Sequence, residues 1–218
     1  MAYTTLIWDW NGTLLNDAAA CVAIINIVLA RRGLPALTAH RYRELFDFPV
    51  RRYYDRLGFD FTRESFEEIG SDFIALYEER RARLRLQPGA RDLLRDLHRD
   101  GIRQVVLSAY RHDTLLSLLR EKRLSNWFTD VTGADDHYAR GKSDQGIHLM
   151  KRLKLDRQHT LLIGDTVHDQ EVAAAMGVSC VLLDAGHQAR HRLEARGVPV
   201  LDDMRSLRDW LRGKLHVR

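Results

Sequence analysis

A short apolar run near the N-terminus, Thr5-Leu6-Ile7-Trp8, is followed at once by Asp9-Trp10-Asn11-Gly12-Thr13. A carboxylate at the tip of a buried strand, a glycine for a tight turn and a threonine hydroxyl as donor together suit attack on a phosphoryl group. Three further stretches extend the set: Ser108 after Val105-Val106-Leu107, Lys142 in Arg140-Gly141-Lys142-Ser143, and Gly164-Asp165-Thr166-Val167-His168-Asp169. Phosphoryl transfer asks for a nucleophile, charge neutralisation and positioning, and these residue types can supply all three.

Positions this far apart need a scaffold that gathers them. Residues 16–85 read as consecutive helices. Asn16 or Asp17 caps the first, which stops at Arg32-Gly33; Thr38 starts a second, Pro49 opens a third, and Thr62 is expected to cap a longer one running toward Leu84. From Pro88 the rhythm changes to strands over 102–107, 130–132, 160–163, 180–183 and 198–201, with helices between them. Such alternation predicts an α/β fold: a Rossmann-like, mainly parallel sheet covered on both faces. The expected division is a core of residues 1–15 and 86–218 and a helical cap of residues 16–85 inserted after the first strand. In this architecture ligands bind outside the carboxyl ends of the strands, and Asp9, Ser108 and Asp165 each directly follow a predicted strand.

Composition narrows the function classes. The 30 acidic residues are interspersed with the 34 basic ones, so a net charge of +4 makes no basic stripe and no nucleic-acid partner is expected. The densest exception, Arg80, Arg81, Arg83 and Arg85, suits a solvated helix end. Residues 18–30, the longest apolar run, are too short to span a bilayer, so no membrane partner is expected either. Cys21 and Cys180 lie far apart, each in an apolar stretch, and read as core thiols. A cytoplasmic location follows as the expectation, and the oligomeric state stays open. With only 5 lysines beside 29 arginines, Lys142 stands out as a residue to follow.

Taken in this order, the four motifs resemble those of the haloacid dehalogenase-like hydrolase superfamily. The layout is similar to its phosphoglycolate phosphatase branch, whose helical cap lies between the first and second motifs. The resemblance spans essentially the whole chain. It implies a magnesium-dependent phosphatase acting on a small phosphorylated metabolite, with Asp9 as nucleophile through an aspartyl-phosphate. Magnesium prefers hard oxygen ligands, which Asp9, the main-chain carbonyl of Asn11 and Asp165 would provide, with Asp169 holding a metal-bound water or orienting Lys142. Ser108 and Thr13 are expected to donate to phosphoryl oxygens, and Lys142 to offset the carboxylates. In the cap, Arg43, Arg51 and Arg52 are candidate anchors for a substrate carboxylate or second phosphate.

One departure matters. Asn11 stands where the family's phosphatases carry an aspartate that protonates the leaving group and then deprotonates water. General acid–base catalysis contributes about 10² to 10⁴ in rate. Three explanations stand side by side: a substrate with a good leaving group, such as an acyl phosphate, phosphoanhydride or aryl phosphate; a surrogate such as His168 or His112; or an asparagine introduced in place of an aspartate. A protein that keeps the pocket for binding or regulation with weak catalysis is the alternative reading. His187 and His191 carry no motif and are expected at the surface.

Overall fold

The computed structural model describes residues 2–134 and 141–216, so Arg140 of the lysine motif lies outside the described residues. Strand β1 (Thr5–Trp8) leads to Asp9; a two-residue strand β2 (Leu15–Asn16) follows, then helices α1 (Ala18–Ala30), α2 (Ala39–Leu45), α3 (Val50–Arg56) and α4 (Phe66–Arg81). Strand β3 (Arg85–Leu86) returns antiparallel to β2, so these four helices are strung between the two strands of one small ribbon. The ribbon is too short for any hydrophobic period to announce it. Next come α5 (Ala90–Arg99), β4 (Arg103–Arg111), α6 (His112–Glu121), a 3-10 turn (Ser125–Trp127), β5 (Asp130–Ala134) and α7 (Lys142–Arg152). The chain ends with β6 (Thr160–Gly164), α8 (Val167–Met176), β7 (Ser179–Leu183), α9 (Arg190–Glu194), β8 (Val200–Leu201) and α10 (Met204–Leu211).

The main sheet runs in the order β5-β4-β1-β6-β7-β8, every pair parallel. Its central strands β1 and β6 are buried at every position and mostly apolar because both faces are covered. Period two still sorts the side chains. Leu6 and Trp8 of β1, Val106 of β4 and Leu161 and Ile163 of β6 pack into one core, while Ile7, Val105, Leu107 and Leu162 pack into the core on the other face. Helix α5 shows how a covering element is specified: Ala90, Leu93, Leu94 and Leu97 fall on one buried stripe, each leucine contributing about 1.5–3 kcal/mol on burial. A third apolar cluster belongs to the segment between β2 and β3 and gathers Ile24, Ile25 and Val28 of α1 with Tyr42, Tyr53, Tyr54 and Tyr77.

Two local expectations are corrected. Helix α4 begins after Ser65, whose side chain and Glu68 form a reciprocal capping box; Thr62 instead closes a turn on Asp60, with a hydroxyl-to-carboxylate bond of 2.6 Å. Helix α8 starts at Val167, ahead of the start at Gln170 that the sequence pattern suggests, because Thr166 and Asp169 cap each other.

Candidate active site

The chain departs from β1 first to β4 on one side and later to β6 on the other, so the sheet order reverses at β1. Asp9 and Asp165 directly follow β1 and β6, whereas Ser108, expected just after a strand, lies within β4 immediately past Leu107, where the pairing with β5 shifts register; all three reach one rim of the sheet. Lys142 opens α7 and Asp169 sits in the first turn of α8. Carboxylate oxygens of Asp9, Asp165 and Asp169 lie within 4.8 Å of one another, all three residues buried. Lys142 Nζ donates to Asp9 Oδ1 at 2.5 Å and to Asp169 Oδ1 at 2.6 Å. Four residues from three motifs thus form a single buried cluster.

Local backbone geometry fixes each member. Asp9 is held by its N–H donating to the carbonyl of Ile163 at 2.9 Å, tying the end of β1 to β6. Gly12 has a φ of +76°, and a Cβ there would overlap Asp165 and His187, so the turn after the nucleophile candidate requires glycine on two grounds. Asp169 Oδ2 accepts from the backbone N–H groups of Asp165 and Thr166 at 3.2 and 3.0 Å, which fixes the carboxylate beside the strand end. Asp165 Oδ2 accepts from the His187 backbone N–H at 2.8 Å.

Electrostatics separate the members. Burial pushes Asp9 up to about 8; Lys142 counters this in part, and the neighbouring Asp169 and Asp165 add to it. Burial likewise raises Asp165 to about 6, with His187 opposing and Asp169 reinforcing. Burial acts against ionisation of Asp169 too, but Lys142 overrides it and holds that carboxyl below its ordinary value. Lys142 is itself desolvated, yet Asp169 and Asp9 outweigh the burial and keep it protonated. Three carboxylates face one ammonium, and Asp9 is the least compensated. Hard oxygen donors with uncompensated negative charge fit a divalent cation such as magnesium.

Other expected site residues divide. The Ser108 hydroxyl oxygen accepts from the Tyr110 N–H at 3.1 Å, which leaves its proton available, and the residue lines the cavity described below. The Thr13 hydroxyl donates to Asp165 Oδ1 at 2.7 Å and so orients that carboxylate. Arg51 and Arg52 stand apart from the cluster. Both are exposed and neither lines the cavity; the Arg51 guanidinium rests 4.6 Å from the centre of the Phe61 ring. Arg43 is spent on Asp184 and on the Gln188 carbonyl. The Asn11 side chain is turned to Asp17 and Tyr77, donating 2.7 Å bonds to the Asp17 carboxylate and the Tyr77 hydroxyl.

Sequence reading missed a second buried constellation beside the first. Asp17 caps nothing with its side chain. Its Oδ1 instead accepts from the Gly12 N–H at 2.8 Å and lies 3.2 Å from His187 Nε2, while its Oδ2 accepts from Tyr77 at 2.7 Å. His187, expected at the surface, is only 4% exposed, with Nδ1 2.9 Å from the Tyr42 hydroxyl. Burial opposes the imidazolium, but Asp17 outweighs it and holds His187 up at about 9. The available signal was positional: Gly186-His187 follows strand β7 at the same sheet rim, and a Cβ at Gly186 would overlap Asp165.

Above these groups opens a cavity of about 190 Å³. Its floor includes Asp9, Ser108, Lys142 and His187, and its walls are aromatic, among them Phe46, Phe48, Tyr53, Phe73, Tyr77 and Tyr110. His168 also lines it, its ring tilted 34° against that of Phe48 with centres 4.9 Å apart. Among the described residues no helix is long and apolar enough to cross a membrane.

Comparison with known proteins agrees with this architecture. A phosphoglycolate phosphatase of Pseudomonas syringae pv. tomato is 26% identical over 210 residues, covering 93% of this chain and 77% of that protein. One of Caulobacter vibrioides is 29% identical over 191 residues, covering 84% and 80%. Among solved structures, a predicted phosphatase from Clostridium acetobutylicum superposes with a TM-score of 0.83 at 16% identity, over 98% of this chain and 100% of that one. The haloacid dehalogenase-like hydrolase family itself matches residues 6–183, and the chain belongs to that family.

Proposed function

We propose that this chain is a magnesium-dependent phosphatase hydrolysing a small phosphorylated metabolite, related in type to the phosphoglycolate phosphatases it resembles. The observation that carries the proposal is the meeting of Asp9, Asp165, Asp169 and Lys142 in one buried cluster at the carboxyl ends of adjacent parallel strands. Asp9 is the nucleophile: its Oδ2 is free of the lysine contact that engages Oδ1. Magnesium held by Asp9, Asp165, Asp169 and the Asn11 main-chain carbonyl would neutralise charge on a phosphoryl oxygen as a Lewis acid. Ser108 donates its hydroxyl proton to a second oxygen, and Lys142 keeps Asp9 and Asp169 oriented while offsetting their charge. Thr13 and the His187 N–H fix the Asp165 carboxylate.

Asn11 carries no transferable proton, and its amide is already engaged by Asp17 and Tyr77. The leaving group therefore departs with little proton assistance from this position, which places a premium on its own stability as an anion. The helices of residues 16–85 serve as a cap over the cavity, with the β2–β3 ribbon as the joint about which it opens for entry and closes to exclude water.

The test is release of inorganic phosphate from a panel including phosphoglycolate and acetyl phosphate, with and without magnesium, beside Asp9→Ala. Turnover that needs both magnesium and Asp9 supports the proposal. Turnover indifferent to Asp9 refutes it.

A further inference from the structure

The cavity continuous with Asp9 is the wrong shape and polarity for a short charged acid. Its walls are rings from α3, α4 and the segment between α2 and α3: Phe46, Phe48, Tyr53, Phe73 and Tyr77, closed on the other side by Tyr110. The tyrosine hydroxyls of this wall are largely turned to protein partners. Tyr77 bonds Asp17 at 2.7 Å, and Tyr110 bonds Glu78 at 2.5 Å. Tyr53 is the exception, a buried hydroxyl with no hydrogen-bond partner among the described residues. Of the cations lining the space, Lys142 is committed to Asp9 and Asp169 and His187 to Asp17, while Arg111 also lines it. Arg111 stands exposed beside Asp113. No buried, uncommitted cation among the described residues is available to grip a substrate carboxylate.

A dry cavity of about 150 Å³ accepts a benzene ring, and this one measures about 190 Å³. It faces a nucleophile that has lost its partner acid. Those two facts arise from different residues and point to the same leaving group. A phenol ionises near 10, as a tyrosine side chain does, whereas an aliphatic alcohol is about as weak an acid as water, near 15.7.

We propose that the substrate is the phosphate monoester of a single-ring phenol, its ring seated among these aromatic side chains and its phosphorus at Asp9. The inference rests on the phosphatase reading and narrows it. In the first step Asp9 Oδ2 forms a bond to phosphorus while the bond from phosphorus to the aryl oxygen breaks, and the electron pair leaves on that oxygen as phenolate. In the second, a water oxygen bonds to phosphorus, the bond from phosphorus to Asp9 breaks, and one water proton passes to the departing phenolate or to solvent. The products are the phenol and inorganic phosphate.

The experiment compares kcat/KM for phenyl phosphate, phosphoglycolate and acetyl phosphate in the full chain with magnesium, each beside Asp9→Ala. Phenyl phosphate is expected to exceed phosphoglycolate by about 10²-fold or more, since a pocket built for an apolar group discriminates on that scale. Phe73→Ala, and Phe73→Leu in case the larger deletion disturbs folding, are expected to lower kcat/KM for phenyl phosphate about 10-fold more than for acetyl phosphate, chiefly through KM. Phenylphosphonate, which cannot be hydrolysed in this way, is expected to bind at least 10-fold more tightly than methylphosphonate. Asp9-dependent hydrolysis of acetyl phosphate without preference for the phenyl ester overturns this inference and leaves the phosphatase reading standing. A preference for phosphoglycolate, or equal binding of the two phosphonates, also overturns it. Absence of any Asp9-dependent turnover removes the phosphatase reading and this inference together.

Discussion

Two buried charge clusters share a wall in this molecule, and they are built on opposite principles. In one, Asp17 faces His187 one to one, and the pair is saturated by hydrogen bonds from Gly12, Asn11, Tyr77 and Tyr42. In the other, three carboxylates, Asp9, Asp165 and Asp169, share the Lys142 ammonium, with only the already paired His187 as a further positive neighbour. Burial is alike in both. Balance is what differs: Asp17 and His187 each hold the other charged, below and above their ordinary values, whereas Asp9 is pushed up to about 8. A balanced pair braces structure, here joining helices α1, α2 and α4 to the loop after β7. An unbalanced cluster stores unfavourable charge that a cation or a reacting phosphoryl group can relieve.

The sharpest way to break this contrast is Asp9→Asn. Removal of the nucleophile is expected to lower kcat by at least about 10⁴-fold. The same change removes one carboxylate from an over-negative cluster, so the metal-free variant is expected to be as stable as the parent or about 1 kcal/mol more stable. Steady-state kinetics and denaturant unfolding check the two halves. A stability loss above about 2 kcal/mol would mean that the Asp9–Lys142 contact braces the fold as Asp17–His187 does. Asp17→Asn is the mirror experiment. It leaves a buried imidazolium without its counter-charge, and unfolding free energy is expected to fall by about 3–5 kcal/mol.

The unbalanced cluster was also the one legible in the sequence, for a physical reason. Each of Asp9, Lys142, Asp165 and Asp169 sits at the end of a strand or the start of a helix whose local pattern announces itself, and parallel order then dictates that the ends meet. His187 has no such context. Its burial depends on Tyr42 and Asp17, 145 and 170 positions away, and no local period encodes a contact of that range. Thr13 differs again: its place in the turn is readable, but the acceptor its hydroxyl meets, Asp165, lies 152 positions away. Arg51 and Arg52 were read as cap cations because the pattern gives a helix there but not which face looks inward. Several aromatics of the same segment pack in its core, while Phe46, Phe48 and Phe73 also line the cavity.

A pH titration sharpens the comparison further. A histidine held near 9 in the folded chain, against an ordinary value of about 6.5, contributes its full stabilisation below that ordinary value and loses it as pH rises through 9. The expected loss across that window is about 3 kcal/mol. Asp9 gives a slope of the same sign in the metal-free protein, because a carboxyl raised to about 8 destabilises the fold as it ionises. Saturating magnesium keeps Asp9 ionised and removes that part. The slope that remains in magnesium is expected to flatten in His187→Gln, as followed by unfolding at intervals from pH 6 to 9.5.

The smallest expected effect is the stabilisation by the cation itself, and it discriminates best between the clusters. A ligand that binds only the folded chain adds about 2.7 kcal/mol at one hundred times its Kd, which for a chain of this length raises Tm by roughly 5–10 °C. Both clusters carry oxygen ligands, and a cation could in principle be drawn to either. At Asp17 it would have to displace His187 from a satisfied pair, trading one counter-charge for another. At Asp9 and Asp165 it meets members of a three-carboxylate cluster that shares the one Lys142 ammonium. The magnesium-dependent rise in Tm is therefore expected to shrink strongly in Asp165→Asn and to persist in His187→Gln. The reverse pattern would put the cation beside Asp17 and reverse the roles assigned to the two clusters.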